Sequence, residues 1–127
     1  MIAINEADFR HIVADAIDAI PEKYGNNIAN LAFVVEDTPS PVQREKLRLR
    51  HDQTLFGLYE GVPLPHRGAG YNLVLPDKIT IFRLPILIAC TSAAEVRAQV
   101  KNTVWHEVAH YFGLDHREIE RLEDKNK

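Results

Sequence analysis

Cysteine is almost missing from this chain: Cys90 is the single one in 127 residues, so no intrachain disulfide can staple the fold. A reducing compartment is the natural setting for such a protein. Long apolar runs are missing as well. The longest, Leu84 to Cys90, carries Pro85 and is far short of the ~20 residues that a membrane-spanning helix needs. Nor does one sign of charge dominate, since 15 basic residues face 18 acidic ones for a formal net charge of −3. That balance sets aside a polyanion-binding surface as the main activity. The opening MIAINEADFRH has neither the basic start nor the apolar core of a signal peptide. These absences lead us to expect a soluble, cytoplasmic protein without membrane contact.

What is present is an ordinary globular composition, 46% hydrophobic, enough to build a core. Its length suits a single domain over residues 1–127. Asn5 is a good N-cap, and Phe9, Ile12, Val13, Ala16, Ile17 and Ile20 recur at helical spacing until Pro21. Ile28 to Glu36 reads as a buried strand and Thr54 to Gly61 as a second, with Gly57 marking a bulge or the close approach of another backbone. Thr38 to Pro41 is a proline-bounded loop, and Gln43 to Arg50 fits either a short helix or irregular structure. Gly61 to Asp77 holds the glycines and prolines of an irregular loop, and Lys78 to Phe82 is a third strand rich in β-formers, closed by Pro85. Ser92 and Glu95 make a capping-box pattern ahead of a long helix. In it Val96, Val100, Val104 and Val108 fall four apart, and Gly113 fits the left-handed end. A short charged helix from Arg117 to Lys125 follows. The expected class is α+β, a small mixed sheet packed with an N-terminal helix and a long helix near the C-terminus.

That last helix carries the chemistry. Residues 106–116 read H-E-V-A-H-Y-F-G-L-D-H. His106 and His110 lie one turn apart, separated by about 6 Å of rise, so both imidazoles can converge on one ion. Val104 and Val108, two positions from His106, lie on the opposite side of the helix. Glu107 is placed to take a proton from a metal-held water and return it to a leaving group. A turn at Gly113 can bring His116 back as a third ligand. Three protein ligands with one open position is the pattern of a catalytic zinc site.

The pattern H-E-x-x-H-x-x-G-x-x-H resembles the long zinc motif of the metzincin peptidases. Those peptidases place a methionine turn downstream of the third histidine, whereas the only methionine here is Met1. The chain is more similar to the small bacterial zincin-like metallopeptidases, sometimes described as a minimal metallopeptidase fold. The stretches L-F-G-L-Y-E-G-V-P-L, L-P-D-K-I-T-I-F-R-L-P-I and T-V-W-H-E-V-A-H-Y-F-G-L carry the likeness over most of the chain. The resemblance implies Zn2+, with His106, His110 and His116 as ligands and Glu107 as general base. Members of that family often carry Asp where this chain has His116, which makes Asp115 the weaker candidate.

Two other readings stand beside this one. Endoribonucleases of ribosomal RNA maturation carry H-x-x-x-H-x-x-G-x-D-H, which His106, His110, Gly113, Asp115 and His116 also fit. The glutamate at 107 favours water activation for peptide hydrolysis, and the acidic balance disfavours nucleic acid, although Arg44, Lys46, Arg48 and Arg50 could contact phosphates. The other is a metal or partner-binding module with little activity. The expected partner is a peptide or protein substrate, extended along the strand at Leu55 to Glu60 or at Lys78 to Phe82. Tyr59, Arg67 and Tyr71 are candidates to stabilise an oxyanion. Cys90 and Trp105 read as packing residues, and His11, His51 and His66 as surface or loop histidines.

Overall fold

The computed structural model describes residues 2–50, 54–62 and 77–114, together with Arg117 and Arg121. His51, His66, Arg67, Tyr71, Asp115 and His116 lie outside the described residues, as do most of the expected loop after Gly61 and of the expected final helix.

Helix α1, Glu6–Asp18, starts where expected: the Asn5 side chain accepts the Asp8 N–H at 2.8 Å. Phe9, Val13 and Ala16 are its buried stripe. The short α2, Glu22–Gly25, leads into strand β1, Leu31–Glu36. Helix α3, Pro41–Lys46, resolves the ambiguous basic segment and claims Pro41 from the expected loop. Its cause is a full capping box, in which Ser40 accepts the Gln43 N–H while the Gln43 side chain accepts the Ser40 N–H. Proline at the first helical position loses no bond, because that N–H would have no partner within the helix.

Strand β2, Gly57–Glu60, is shorter than expected, and β3 spans Asp77–Phe82. The sheet order is β1-β3-β2, with β1 parallel and β2 antiparallel to β3. It is therefore mixed, as expected for the α+β class. Because β3 is paired on both sides, Lys78 to Phe82 cannot take an extended peptide along its edge; among the described residues β2 pairs on one side only.

Strand β3 ends at Phe82, three residues before the Pro85 expected to close it. The chain instead forms α4, Arg83–Ala89, with Pro85 inside the first turn, where no intrahelical N–H is needed. Arg83 secures this corner by donating to Asp37 at 3.0 Å and to the Ile4 carbonyl at 2.9 Å. Helix α5, Ala93–Tyr111, is the long one. Ser92 accepts the Glu95 N–H, but the Glu95 carboxylate reaches past the cap to the Thr91 N–H at 2.8 Å. Val96, Val100, Val104 and Val108 are all sealed against Phe9, Val13, Ile79 and Ile81. Fully burying a side chain of this size contributes about 1.5–3 kcal/mol, so this row holds α5 in one rotation about its axis.

The far end of α5 is fixed by Tyr111. Its hydroxyl donates to the Ala29 carbonyl at 2.7 Å and accepts the Ala29 N–H at 3.0 Å, just ahead of β1. Both backbone groups lose their partner if that oxygen is removed. Tyr111→Phe is expected to lower unfolding free energy by about 1–3 kcal/mol. Urea denaturation monitored by circular dichroism measures it; an unchanged midpoint would show that the tie is not structural.

Candidate metal centre

The valine row fixes where the rest of α5 points. With Val104 and Val108 turned into the core, His106 and His110 lie on the other side of the helix, half-buried. Their rings sit edge to face with centroids 4.7 Å apart, and their Nε2 atoms are 3.1 Å apart. One carboxylate oxygen of Glu107 completes a cluster whose ligand atoms all lie within 4.8 Å of one another. Two nitrogens that share one zinc at about 2.0–2.1 Å each cannot be more than about 4.2 Å apart, so the pair fits a common ion.

Gly113 ends the helix as expected, with φ of 74°. The Gly113 N–H donates to the His110 carbonyl at 2.9 Å and the Leu114 N–H to the Ala109 carbonyl at 3.0 Å. This two-bond pattern satisfies carbonyls that the helix end leaves over and turns the chain sharply just ahead of residues 115 and 116.

Glu107 is held from across the molecule. It is 8% exposed, and its Oε1 accepts the backbone N–H of Tyr59 at 3.1 Å. The approach is possible because Gly57 has no side chain. A Cβ there would lie 2.6 Å from Thr103 Cγ2 and 3.3 Å from Glu107 Cγ. Gly57 thus marks a close approach, but by side chains of α5 rather than by the other backbone that the sequence suggested. Tyr59 is not available as the sequence suggested: its hydroxyl donates to buried Asp77 at 2.6 Å, and its ring packs edge-on to Tyr111. Its part in the site is played by the main chain, which residue spacing could not show, because the two partners stand 48 positions apart.

Burial pushes the Glu107 carboxyl above its ordinary value; the neighbouring His106 and the Tyr59 N–H pull it partly back. Cys90 is buried as expected, and burial, followed by the nearby Glu95 charge, pushes its thiol up, away from nucleophilic use. Two hollows meet at Glu107. One of about 330 Å³ runs past Phe56, Gly57, Gln99 and Thr103 to His106, and one of about 240 Å³ lies among Leu58, Tyr59 and His110. Together they make an open cleft along β2, centred on the cluster.

Comparison with known proteins agrees with this geometry. Residues 28–126 match the family model of the zincin-like metallopeptidases, and the chain belongs to that family. Among solved structures it is similar to a conserved hypothetical protein from Thermo thermophilus, at 18% identity and a TM-score of 0.60. That likeness covers 86% of this chain and 94% of the other, and it concerns the fold. No curated protein matches the chain.

Two outcomes follow from the packing around Glu107. Gly57→Ala should lose about 1–3 kcal/mol by overpacking, and adding Thr103→Ser, which removes the obstructing methyl, should recover most of it. Thermal melts of the single and double variants measure this; no rescue would mean that the close approach is not what selects glycine. A carboxyl raised in the folded state costs stability once the unfolded chain ionises, as pH climbs past about 4.3. Metal-stripped Glu107→Gln should therefore be more stable than the parent near neutral pH, the gap closing in acid. Equal pH profiles would contradict the burial argument.

Proposed function

We propose that the chain is a zinc-dependent peptidase in which His106, His110 and His116 hold the metal and Glu107 is the general base. The observation that carries this is the Glu107 carboxylate itself. It is buried, beside the two histidines, and tied by one oxygen to the main chain of β2. A purely structural metal site has no need of such a carboxylate, and a nuclease of the three-histidine type does not require it. Family membership supports the same class.

A zinc ion held by these histidines supplies Lewis acidity and lowers the pKa of a bound water toward neutrality. The protein's own contribution is orientation and proton transfer. The Tyr59 N–H fixes Oε1, and Oε2 has no protein hydrogen-bond partner among the described residues. Oε2 is thus the oxygen to take a proton and deliver it to a departing amine. Burial keeps this carboxylate more basic than one in water, which suits a base that must capture a proton and release it again. The peptide lies extended in the cleft along β2, where backbone pairing would supply sequence-independent affinity.

The test begins with elemental analysis of protein purified in zinc-supplemented buffer, expected to give one zinc per chain. Glu107→Gln should retain the metal and lose peptide hydrolysis by roughly 10²-fold or more. His116→Ala should weaken metal binding. The same proteins are then assayed against a mixed peptide library and against ribosomal RNA. Cleavage of RNA but not peptides would overturn the peptidase reading, and protein that holds no zinc would overturn the whole site.

A further inference from the structure

Asp77 is 4% exposed and stands apart from the cluster of His106, Glu107 and His110. A carboxyl group is costly to bury, so one outside the metal site needs a partner of its own. That partner is Tyr59. In the antiparallel pairing Tyr59 faces Ile79, and Asp77 lies two positions before Ile79 on the same face of β3. The two side chains are therefore diagonal neighbours, a separation that an aromatic residue can span. The Tyr59 hydroxyl donates to Asp77 Oδ2 at 2.6 Å, the length of a strong bond to a carboxylate.

Asp77 is itself anchored. Its N–H donates to the Asn30 carbonyl at 3.0 Å, and it pairs with Leu31 at the start of β1. Asn30 holds a left-handed φ of 56°, a conformation that asparagine tolerates better than most residues. The Asp77 carboxylate also fills the space beside Gly61, where an added Cβ would collide with it. One end of β2 is thus fitted to Asp77 at two points, the Tyr59 hydroxyl and Gly61. Gly57 sets the other end against Thr103. Between them lies the Tyr59 N–H, turned to Glu107. A strand of four residues opens readily unless its ends are held, and Asp77 holds the end nearer to that amide.

We propose that Asp77 is a positioning residue for Glu107: through the Tyr59 hydroxyl it fixes the strand segment whose amide holds Oε1. Its effect on hydrolysis rests on the reading of Glu107 as general base, whereas the positioning itself does not.

The test uses full-length protein purified in zinc-supplemented buffer. Hydrogen exchange followed by nuclear magnetic resonance reads local opening at the residue 59 amide, while the buried Ile79 and Ile81 amides read opening of the core. Tyr59→Phe and Asp77→Ala should each speed exchange at residue 59 about tenfold more than at the core amides, the size of one lost hydrogen bond. Asp77→Asn keeps an acceptor and should retain most of the protection. The double variant Tyr59→Phe/Asp77→Ala should open residue 59 no further than Tyr59→Phe does. Val13→Ala, a cavity in α1, should speed both sets of amides alike. In peptide hydrolysis Tyr59→Phe should keep the metal content and KM of the parent while kcat falls about tenfold, the cost of a base held loosely. The proposal is overturned if residue 59 keeps pace with the core amides in folded Tyr59→Phe, or if the two substitutions add. An active parent whose kcat is untouched by Tyr59→Phe overturns it too. Should Asp77→Ala not fold, Tyr59→Phe and Asp77→Asn still decide. A parent that cleaves no peptide would sink the peptidase reading, and the exchange data would then decide the positioning alone.

Discussion

A single main-chain hydrogen bond, from the Tyr59 N–H to the Glu107 carboxylate, joins the sheet to the histidine-bearing side of α5. A buried carboxylate without a donor is costly, and the sheet supplies that donor only if β2 lies almost on the helix surface. Gly57 permits the approach. A register slip of one residue would put Leu58 where Gly57 now meets Thr103, and would turn every side chain of β2 to the opposite face of the sheet. The position of Glu107, the register of β2 and the width of the cleft are therefore one constraint.

Helix α5 meets that constraint because it is held at both ends and along one side. Ser92 and Thr91 secure its start, Tyr111 ties its last turn to Ala29, and the four valines prevent rotation. The two histidines can then remain half-exposed and still be well positioned. Such division of labour explains how a sheet with three described strands can support the histidine–glutamate cluster. Precision comes from a rigid helix packed on one face, and the ligands stand on the other face of the same helix.

The parts of this fold that were legible in the sequence are those governed by neighbours a few positions apart. The Asn5 cap, the valine row, the histidine pair and the left-handed Gly113 all follow from helical spacing, and each occurs where its spacing places it. What escaped has two physical origins. Helices α3 and α4 both contain proline near their start, and proline read as a breaker conceals the fact that it is well tolerated in a first turn. In α4 the apolar residues Ile86, Leu87 and Ile88 also carry no polar alternation to separate helix from strand. The second origin is distance along the chain. Gly57 signalled a close approach, but nothing local could say that Glu107 was its counterpart, or that the Tyr59 hydroxyl would be committed to Asp77.

The same bond also bears on how a glutamate of α5, rather than a residue of a loop, would serve as the base in the proposed reaction. A carboxylate tied by one oxygen to a strand cannot follow its proton or swing away from the histidines. Its remaining oxygen is thus presented to the cleft beside His106 and His110. Burial raises its proton affinity, while His106 and the Tyr59 amide hold that rise in check, so the group can both accept a proton and give it up. Gly57, by letting β2 come close, sets both the burial that raises this carboxyl and the amide contact that opposes the rise.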